Sequence, residues 1–261
     1  MMTVFLHELK RNKITLIVWS AVLSFMLGVC VFIYPEMSSQ MNEMSAMFSE
    51  MGAFTEAFGM DQLNFGEFMG YFGIECANTL GLGGALFAAI LGIGALAKEE
   101  KEHTAEFLLT HPVSRTHIIA EKLFATLAQV VILNLAVSLV TTLSILAIGE
   151  SADAGKIALL FLAYLLLQIE IASITFGISA FIRGGGLGIG LGLSLGLYFI
   201  NIVSNLVDEA EFLKYITPFG YTDSAEIMDS GINLGYLAVG VLFTAAAIFL
   251  AFRQYNKKDI L

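Results

Sequence analysis

Six stretches of this sequence are long and apolar enough to cross a lipid bilayer as helices, since spanning the hydrocarbon core takes roughly 20 apolar residues. They occupy residues 14–34, 72–97, 123–148, 157–182, 187–207 and 232–252. With 57% hydrophobic and only 14% charged residues, the chain has too little polar surface for a soluble domain. Backbone polar groups in lipid must be satisfied without water, which favours helices. We predict an all-α polytopic membrane protein of the plasma membrane, with a single transmembrane domain over residues 1–261.

The basic residues predict how the chain is oriented. Placing both termini in the cytoplasm puts eleven of the thirteen Lys and Arg residues inside and leaves only Lys156 and Lys214 outside. This agrees with the excess of Lys and Arg that cytoplasmic loops carry. Fourteen of the twenty-three acidic residues fall in the outer loops, so the net charge of -10 belongs to the outer face. We therefore expect cytoplasmic termini and no nucleic-acid partner.

The glycine-rich stretch 184–200 is not predicted to bind a nucleotide, because it lacks the strand, the spacing and the Lys-Ser/Thr pair of a phosphate loop. Small residues at every fourth position allow helices to approach closely in lipid. Two segments carry such rows: Gly184, Gly188, Gly192 and Gly196 in the fifth, and Gly84, Ala88 and Gly92 in the second. We expect these helices to form a subunit contact or a moving interface, with tight packing inside one subunit as the alternative.

The loop between the second and third segments, residues 98–122, carries the most specific pattern. It begins as an acidic amphipathic helix that ends in three apolar residues, 107–109. Pro112 disfavours helix at His111 and breaks the run. Ser114 is then placed to cap a new helix that continues into the third span. A short helix joined rigidly to two spans would transmit a movement from a soluble partner.

These residues resemble the permease subunits of type 2 ABC exporters. The loop matches them in its step Glu106-Phe107-Leu108-Leu109, its turn Pro112-Val113-Ser114-Arg115 and the following Lys122. Three other parts also match: an N-terminal amphipathic helix at 4–13, an outer segment at 215–219 and a cationic tail at 252–260. The resemblance covers the whole chain. It implies a six-span subunit that forms a homodimer or pairs with a second permease, driven by two copies of a separate ABC ATPase.

The resemblance also implies a cytoplasmic coupling helix, which would dock into the ATPase. The expected coupling residues are Glu99, Glu100, Glu102, Glu106, Phe107, Leu108, Leu109, Pro112, Ser114 and Arg115. The chain has no nucleotide-binding motif and no soluble stretch long enough for an ATPase domain. We thus expect no cofactor and no catalysis in this chain, with ATP and Mg²⁺ bound by the partner. The alternative for the acidic face is that it is merely solvated.

A few polar residues lie at membrane depth, where an ionised carboxylate costs about 2.5–3.5 kcal/mol. Glu170 lies near the middle of the fourth segment and Asn134 lies similarly deep in the third. Glu75, Asn201 and Asn205 lie nearer the outer ends. These five residues are candidates for the translocation path, and Glu170 for contact with a substrate or cation. The alternative is that Glu170 only joins helices, for example through Asn134.

The outer segment 35–71 is predicted to be an amphipathic helix on the membrane surface or a lid over an outward cavity. Its apolar face carries Met37, Met41, Met44, Met47, Phe48, Met51, Phe54 and Phe58. Methionine offers an adaptable surface for apolar ligands. Thioethers can also bind Cu(I), but this segment contains no His or Cys. No His-Glu-x-x-His pattern occurs in the chain, so we expect no metal site.

We expect an exporter permease that moves an amphipathic or hydrophobic molecule, such as a peptide, an antibiotic or a lipid-like compound, and that also contacts membrane lipids. Two alternatives stay open. One is a non-transporting membrane protein for immunity or assembly, and the other is a permease that extrudes sodium.

Overall fold

The computed structural model describes residues 3–49, 52–58, 63–64, 66–101, 114–182 and 184–257. These residues are almost entirely helical and contain no strand. Six helical stretches are long and apolar enough to cross a membrane: Lys13–Ser38, Phe68–Lys98, Arg115–Ile148, Ala154–Ser179, Leu187–Leu206 and Leu234–Lys257. The predicted all-α fold with six spans is confirmed.

Ten α-helices form the described part of the chain. They are α1 (Thr3–Arg11), α2 (Lys13–Ser49), α3 (Ala53–Ala57), α4 (Phe68–Cys76), α5 (Gly84–Lys101), α6 (Arg115–Ile148), α7 (Ala154–Ser179), α8 (Leu187–Leu206), α9 (Ser224–Ser230) and α10 (Leu234–Lys257). A π-helix, Ala77–Gly83, joins α4 to α5 within the second span. Two 3₁₀ helices, Asp208–Tyr215 and Pro218–Tyr221, precede α9.

The second span is the most enclosed of the six. Its helix α5 packs along α7, and their core includes the fully buried Phe87, Leu167 and Ile171. Large apolar side chains on the outer surface of the bundle face away from this core, among them Leu135 and Leu242. This is the distribution expected of helices that face lipid on one side and protein on the other.

A glutamine side chain secures the π-helix. Gln168 of α7 is fully buried, and its Nε2 donates to the carbonyl oxygen of Leu80 at 2.9 Å. Its Oε1 accepts a hydrogen bond from Nδ2 of Asn134 in α6 at 2.7 Å. Because a π-helix leaves part of the regular helical hydrogen-bonding pattern unfilled, this side chain joins three spans at their most irregular point.

The first span and the start of the outer segment form one helix. Helix α2 continues through Pro35 to Ser49, although the sequence predicts the outer segment from position 35. Helix α3 and α4 follow at Ala53 and Phe68. The side chains at 41–51 and 54, which carry most of the predicted methionine-rich face, lie outside the described part of the structure.

Helices α7 and α10 run parallel. A methyl group added at Gly240 of α10 would overlap the carboxylate of Glu170 in α7, and two turns further along, a methyl group added at Gly177 would lie 2.8–3.1 Å from atoms of Ala247. Glu170 is sixteen positions from the start of α7 and Gly240 is six from the start of α10. At 1.5 Å per residue, the first residue of α10 therefore lies about 15 Å further along the common direction of the two helices than the first residue of α7. Beside the first half of α7, the hydroxyl of Tyr164 bonds to Thr222 and Ser224 instead.

Both ends of the chain lie on the same face of the bundle, which we call the terminal face. Residues near the start of α6 contact α1 on one side and the end of α10 on the other. Helix α6 begins at Arg115, so the start of the third span lies at the terminal face.

Candidate functional site

The predicted coupling loop joins two long helices at the terminal face. Ser114 caps α6, its hydroxyl oxygen accepting a hydrogen bond from the backbone N–H of His117 at 3.3 Å, so the cap predicted from the sequence is confirmed. Glu99 and Glu100 belong to the last turn of α5, with side chains that are not described. The remaining coupling candidates, Glu102, Glu106, Phe107, Leu108, Leu109 and Pro112, lie outside the described residues.

A buried lysine sits at the base of this loop. Lys122 of α6 is 1% exposed. Its Nζ donates to Oε1 of Glu8 at 2.8 Å and to the carbonyl oxygen of Ala95 in α5 at 2.8 Å. Arg11 binds the second oxygen of Glu8 at 3.1 Å. One ammonium group therefore connects α1, α5 and α6 beside the point where the loop begins and ends.

The neighbouring residue Glu121 holds the first turn of α1. Its Oε2 accepts hydrogen bonds from the backbone N–H groups of Val4 and Phe5 at 2.8 and 3.0 Å. Its Oε1 lies 2.7 Å from Nε2 of His117. A carboxylate at a helix N-terminus satisfies free N–H groups and complements the helix dipole. Helix α1 is thus fixed to α6 at two successive residues, Glu121 and Lys122.

The start of α6 is also tied to the end of α10. Nη1 of Arg115 donates to the carbonyl oxygen of Tyr255 at 3.4 Å. Thr116 and Asn256 exchange side-chain hydrogen bonds at 3.3–3.5 Å. Of the predicted coupling residues, Arg115 is therefore turned towards the C-terminal helix. These contacts make the base of the loop a junction of α1, α5, α6 and α10.

Glu170 lies between α7 and α10 and is 3% exposed. Neither of its carboxylate oxygens has a hydrogen-bond partner among the described residues. The hydroxyl of Tyr221, at the end of the 3₁₀ helix Pro218–Tyr221, lies near the carboxylate and interacts with it without forming a well-aligned hydrogen bond. Burial, followed by the nearby charge of Glu170, raises the pKa of Tyr221 well above its usual value, so this hydroxyl stays protonated.

The other intramembrane candidates occupy separate places. Asn134 binds Gln168 and not Glu170. Glu75 accepts a hydrogen bond from Sγ of Cys30 at 3.2 Å, which joins α4 to α2. Within one chain, these residues do not line a common path with Glu170.

Asn201 and Asn205 do lie together, at an outer cavity. This cavity of about 50 Å³ is enclosed by α3, the π-helix, α7, α8 and residues 219–224. Nδ2 of Asn205 donates to the carbonyl oxygen of Ala57 at 3.5 Å. On the opposite wall, the hydroxyl of Tyr164 lies 2.8 Å from that of Ser224. The space holds only a few water molecules, so it is too small for an amphipathic substrate.

The two glycine rows have different surroundings. Methyl groups at Gly84 and Gly92 would overlap α7, at Gln168 in one case and at Ala172 and Thr175 in the other, and Ala88 is fully buried. The second-span row therefore packs inside the subunit. On α8, Gly188, Gly192 and Gly196 have no neighbour within 4 Å of an added methyl group. Gly184 precedes the helix, with φ of 90°.

Two comparisons with known proteins bear on this arrangement. A family model described as ABC-2 family transporter protein matches residues 2–260. The chain belongs to the ABC-2 transporter family. The suspected membership in this family is confirmed, and the chain is a permease of an ABC transporter, a multi-pass membrane component. A comparison with curated proteins gives no significant match.

Membership in the ABC-2 family implies association with an ABC ATPase. Members of the family are the membrane components of transporters.

Sequence reasoning missed several of the residues that surround Lys122 and Glu170 in this ABC-2 permease. Glu8, Glu121 and Gly240 were not candidates, and Lys122 was noted only as part of the family pattern. Two signals were available: His117 and Glu121 are four positions apart on one helix, and Lys122 directly precedes an apolar run. A charged residue at such a boundary is expected to reach a partner or the headgroup region.

Proposed function

We propose that this chain is the permease subunit of an ABC exporter and that the loop 98–122 couples it to a separate ATPase. The observation that carries the proposal is the Lys122 junction. It fixes both ends of the loop to one rigid base, through Ala95 on α5 and Lys122 itself on α6. A force applied to the loop would therefore move two spans and α1 together.

In this proposal the terminal face is cytoplasmic. Eleven of the thirteen basic residues lie on the side of the termini and the loop, as expected for cytoplasmic segments. ATP and Mg²⁺ would be bound by two copies of the ATPase, and the permease itself would hold no cofactor.

The functional unit is proposed to be a permease homodimer. Gly188, Gly192 and Gly196 form an open strip on α8 that no part of the described chain covers. Small residues let two helices approach closely in lipid. In this proposal an amphipathic or hydrophobic substrate would pass between two chains, because the cavity beside Asn201 and Asn205 holds only about 50 Å³ and the larger cavities, of about 310 and 550 Å³, lie at the two ends of the bundle.

A site-specific crosslinking experiment tests the coupling assignment. A photoreactive amino acid at position 107 is expected to give an ATPase adduct in membranes that contain both proteins. The same amino acid at Phe212, which is 62% exposed on the opposite face of the bundle, is the control and should give none. An adduct at 212 but not at 107 would reverse the proposed orientation.

A further inference from the structure

The interface between α7 and α10 contains a group of buried oxygen atoms without hydrogen-bond partners. We call it the α7–α10 seam, and it is formed by Glu170, Ser173, Gly177, Gly240, Thr244 and Ala247. Oγ of Ser173 and Oγ1 of Thr244 are unpartnered among the described residues, and the carboxylate of Glu170 has no polar neighbour there beyond the hydroxyl of Tyr221, which interacts with it. Leaving such groups buried and unpaired is costly.

Helical register brings these oxygens together. Glu170 faces Gly240, and Gly177 faces Ala247. On α7, Ser173 lies between Glu170 and Gly177 and is rotated about 60° round the helix axis from Glu170. On α10, Thr244 is rotated about 40° from Gly240 in the opposite sense. Because the helices are parallel and face each other, rotations of opposite sense place both hydroxyls on the same side of the seam.

The two hydroxyls share with those of Ser20, Thr141 and Ser194 the lack of a hydrogen-bond partner among the described residues, but only these two lie beside Glu170. Serine and threonine inside a helix commonly donate to a carbonyl one turn earlier. Thr126, Thr175 and Ser179 do so, at 3.0, 2.7 and 2.6 Å. Ser173 and Thr244 make no such bond, so their oxygens are available to a ligand.

The described residues provide no positive charge at the depth of Glu170. Cationic groups on the helices packed against α7 lie at the terminal face: Lys98, Arg115, His117, Lys122, Arg253 and Lys257. Arg253 is thirteen positions from Gly240, which corresponds to about 20 Å along α10. The remaining titratable neighbour, Tyr221, is neutral. The charge of the carboxylate is therefore uncompensated by the protein.

We propose that Glu170, Ser173, Tyr221 and Thr244 bind one Na⁺ ion in the α7–α10 seam. A carboxylate and three hydroxyls offer only oxygen ligands, which suit a hard cation. One carboxylate neutralises one positive charge, whereas a divalent ion would leave a net charge in the bilayer. Gly240 contributes by having no side chain, since a methyl group there would occupy the space beside the carboxylate.

Equilibrium binding of ²²Na⁺ to the full chain in lipid nanodiscs tests this site. The ATPase partner is omitted, so the outcome is independent of the proposed transport function. We expect saturable binding of one ion per chain that choline does not displace. At ten times its Kd, Na⁺ should also raise the unfolding midpoint by about 3–6 °C.

The variants assign the binding to the seam. Glu170→Gln should weaken Na⁺ binding at least tenfold, while Glu75→Gln, which alters another intramembrane carboxylate, should bind like the wild type. Ser173→Ala should weaken binding several-fold, with Ser179→Ala on the same helix as its matched control. If Glu170→Gln does not fold, Ser173→Ala and Thr244→Val decide the question. No saturable ²²Na⁺ binding, or equal binding by Glu170→Gln or by both hydroxyl variants, would overturn the proposal.

Discussion

The carboxylate of Glu8 lies 2.8 Å from the ammonium group of Lys122, although 114 positions separate the two residues. Both side chains are almost fully buried. The same ammonium group binds the carbonyl oxygen of Ala95 at the end of the second span. This ion pair therefore holds α1 against the two helices that carry the loop 102–113.

Removing one partner of this buried pair should destabilise the protein. We expect Glu8→Gln to lower the free energy of unfolding by about 3–5 kcal/mol, because it leaves the charge of Lys122 buried and unpaired. The double variant with Lys122→Met should lose less than the single variant. Arg11→Met removes a more exposed partner of Glu8 and should cost no more than about 1 kcal/mol. Denaturant unfolding in micelles measures all three, and an additive double-mutant cycle would contradict the expectation.

The second-span glycines provide a matched test of packing. Gly92→Ala should destabilise the chain by about 1–3 kcal/mol, since the new methyl group meets the backbone of α7 at Ala172. Gly94→Ala, two positions away on the same helix, meets no atom within 4 Å and should be nearly neutral. The midpoints of thermal unfolding compare the two variants. Equal midpoints would show that α5 does not pack on α7 as described.

The open strip on α8 should control the oligomeric state. We expect Gly192→Ile to shift purified protein from dimer towards monomer, because a bulky side chain prevents close approach of two helices. Ala238→Ile adds the same bulk to an exposed position on α10 and is the control. Light scattering coupled to size-exclusion chromatography gives the masses. A dimer that persists in Gly192→Ile would place the subunit contact elsewhere.

Stability should depend on pH through Asp223, which caps α9. Burial raises the pKa of this carboxyl above its usual value, against the opposing effect of hydrogen bonds from Glu226 and Ala225. The folded chain then binds the proton more tightly than the unfolded chain, so stability falls as the pH rises from about 3.8 through the raised pKa. Asparagine also caps helices. Asp223→Asn should remove this loss and should be more stable than the wild type at pH 7. The midpoint of unfolding, measured as a function of pH for both proteins, tests this. Identical pH profiles for the two proteins would contradict the expectation.

Features that depend on local pattern could be predicted from the sequence. The six spans follow from apolar length, and the cap at Ser114 follows from a serine placed after a proline break. Helix α2 shows the limit of such signals. Pro35 suggests a boundary, yet in the structure the helix continues through it, since prolines are tolerated in membrane helices.

Contacts between distant positions could not be predicted. Glu170 stands out in the sequence as a carboxylate at membrane depth, but its neighbour Gly240 depends on the register of two parallel helices and its neighbour Tyr221 on the path of the 3₁₀ helix Pro218–Tyr221. Asn134 was a reasonable partner for it by depth alone. The structure instead pairs Asn134 with Gln168, which precedes Glu170 by two positions on α7. The side chains of Gln168 and Glu170 point about 160° apart around the helix axis, so Asn134 reaches only the first of them.

The central claim is that the loop between the second and third spans engages the ATPase. The most direct measurement is the ATPase rate of the partner reconstituted with the permease in nanodiscs. We predict that the double variant Phe107→Asp and Leu108→Asp reduces the rate to that of the ATPase alone, while Phe212→Asp on the opposite face retains full stimulation. Undiminished assembly and stimulation by the double variant would contradict the account.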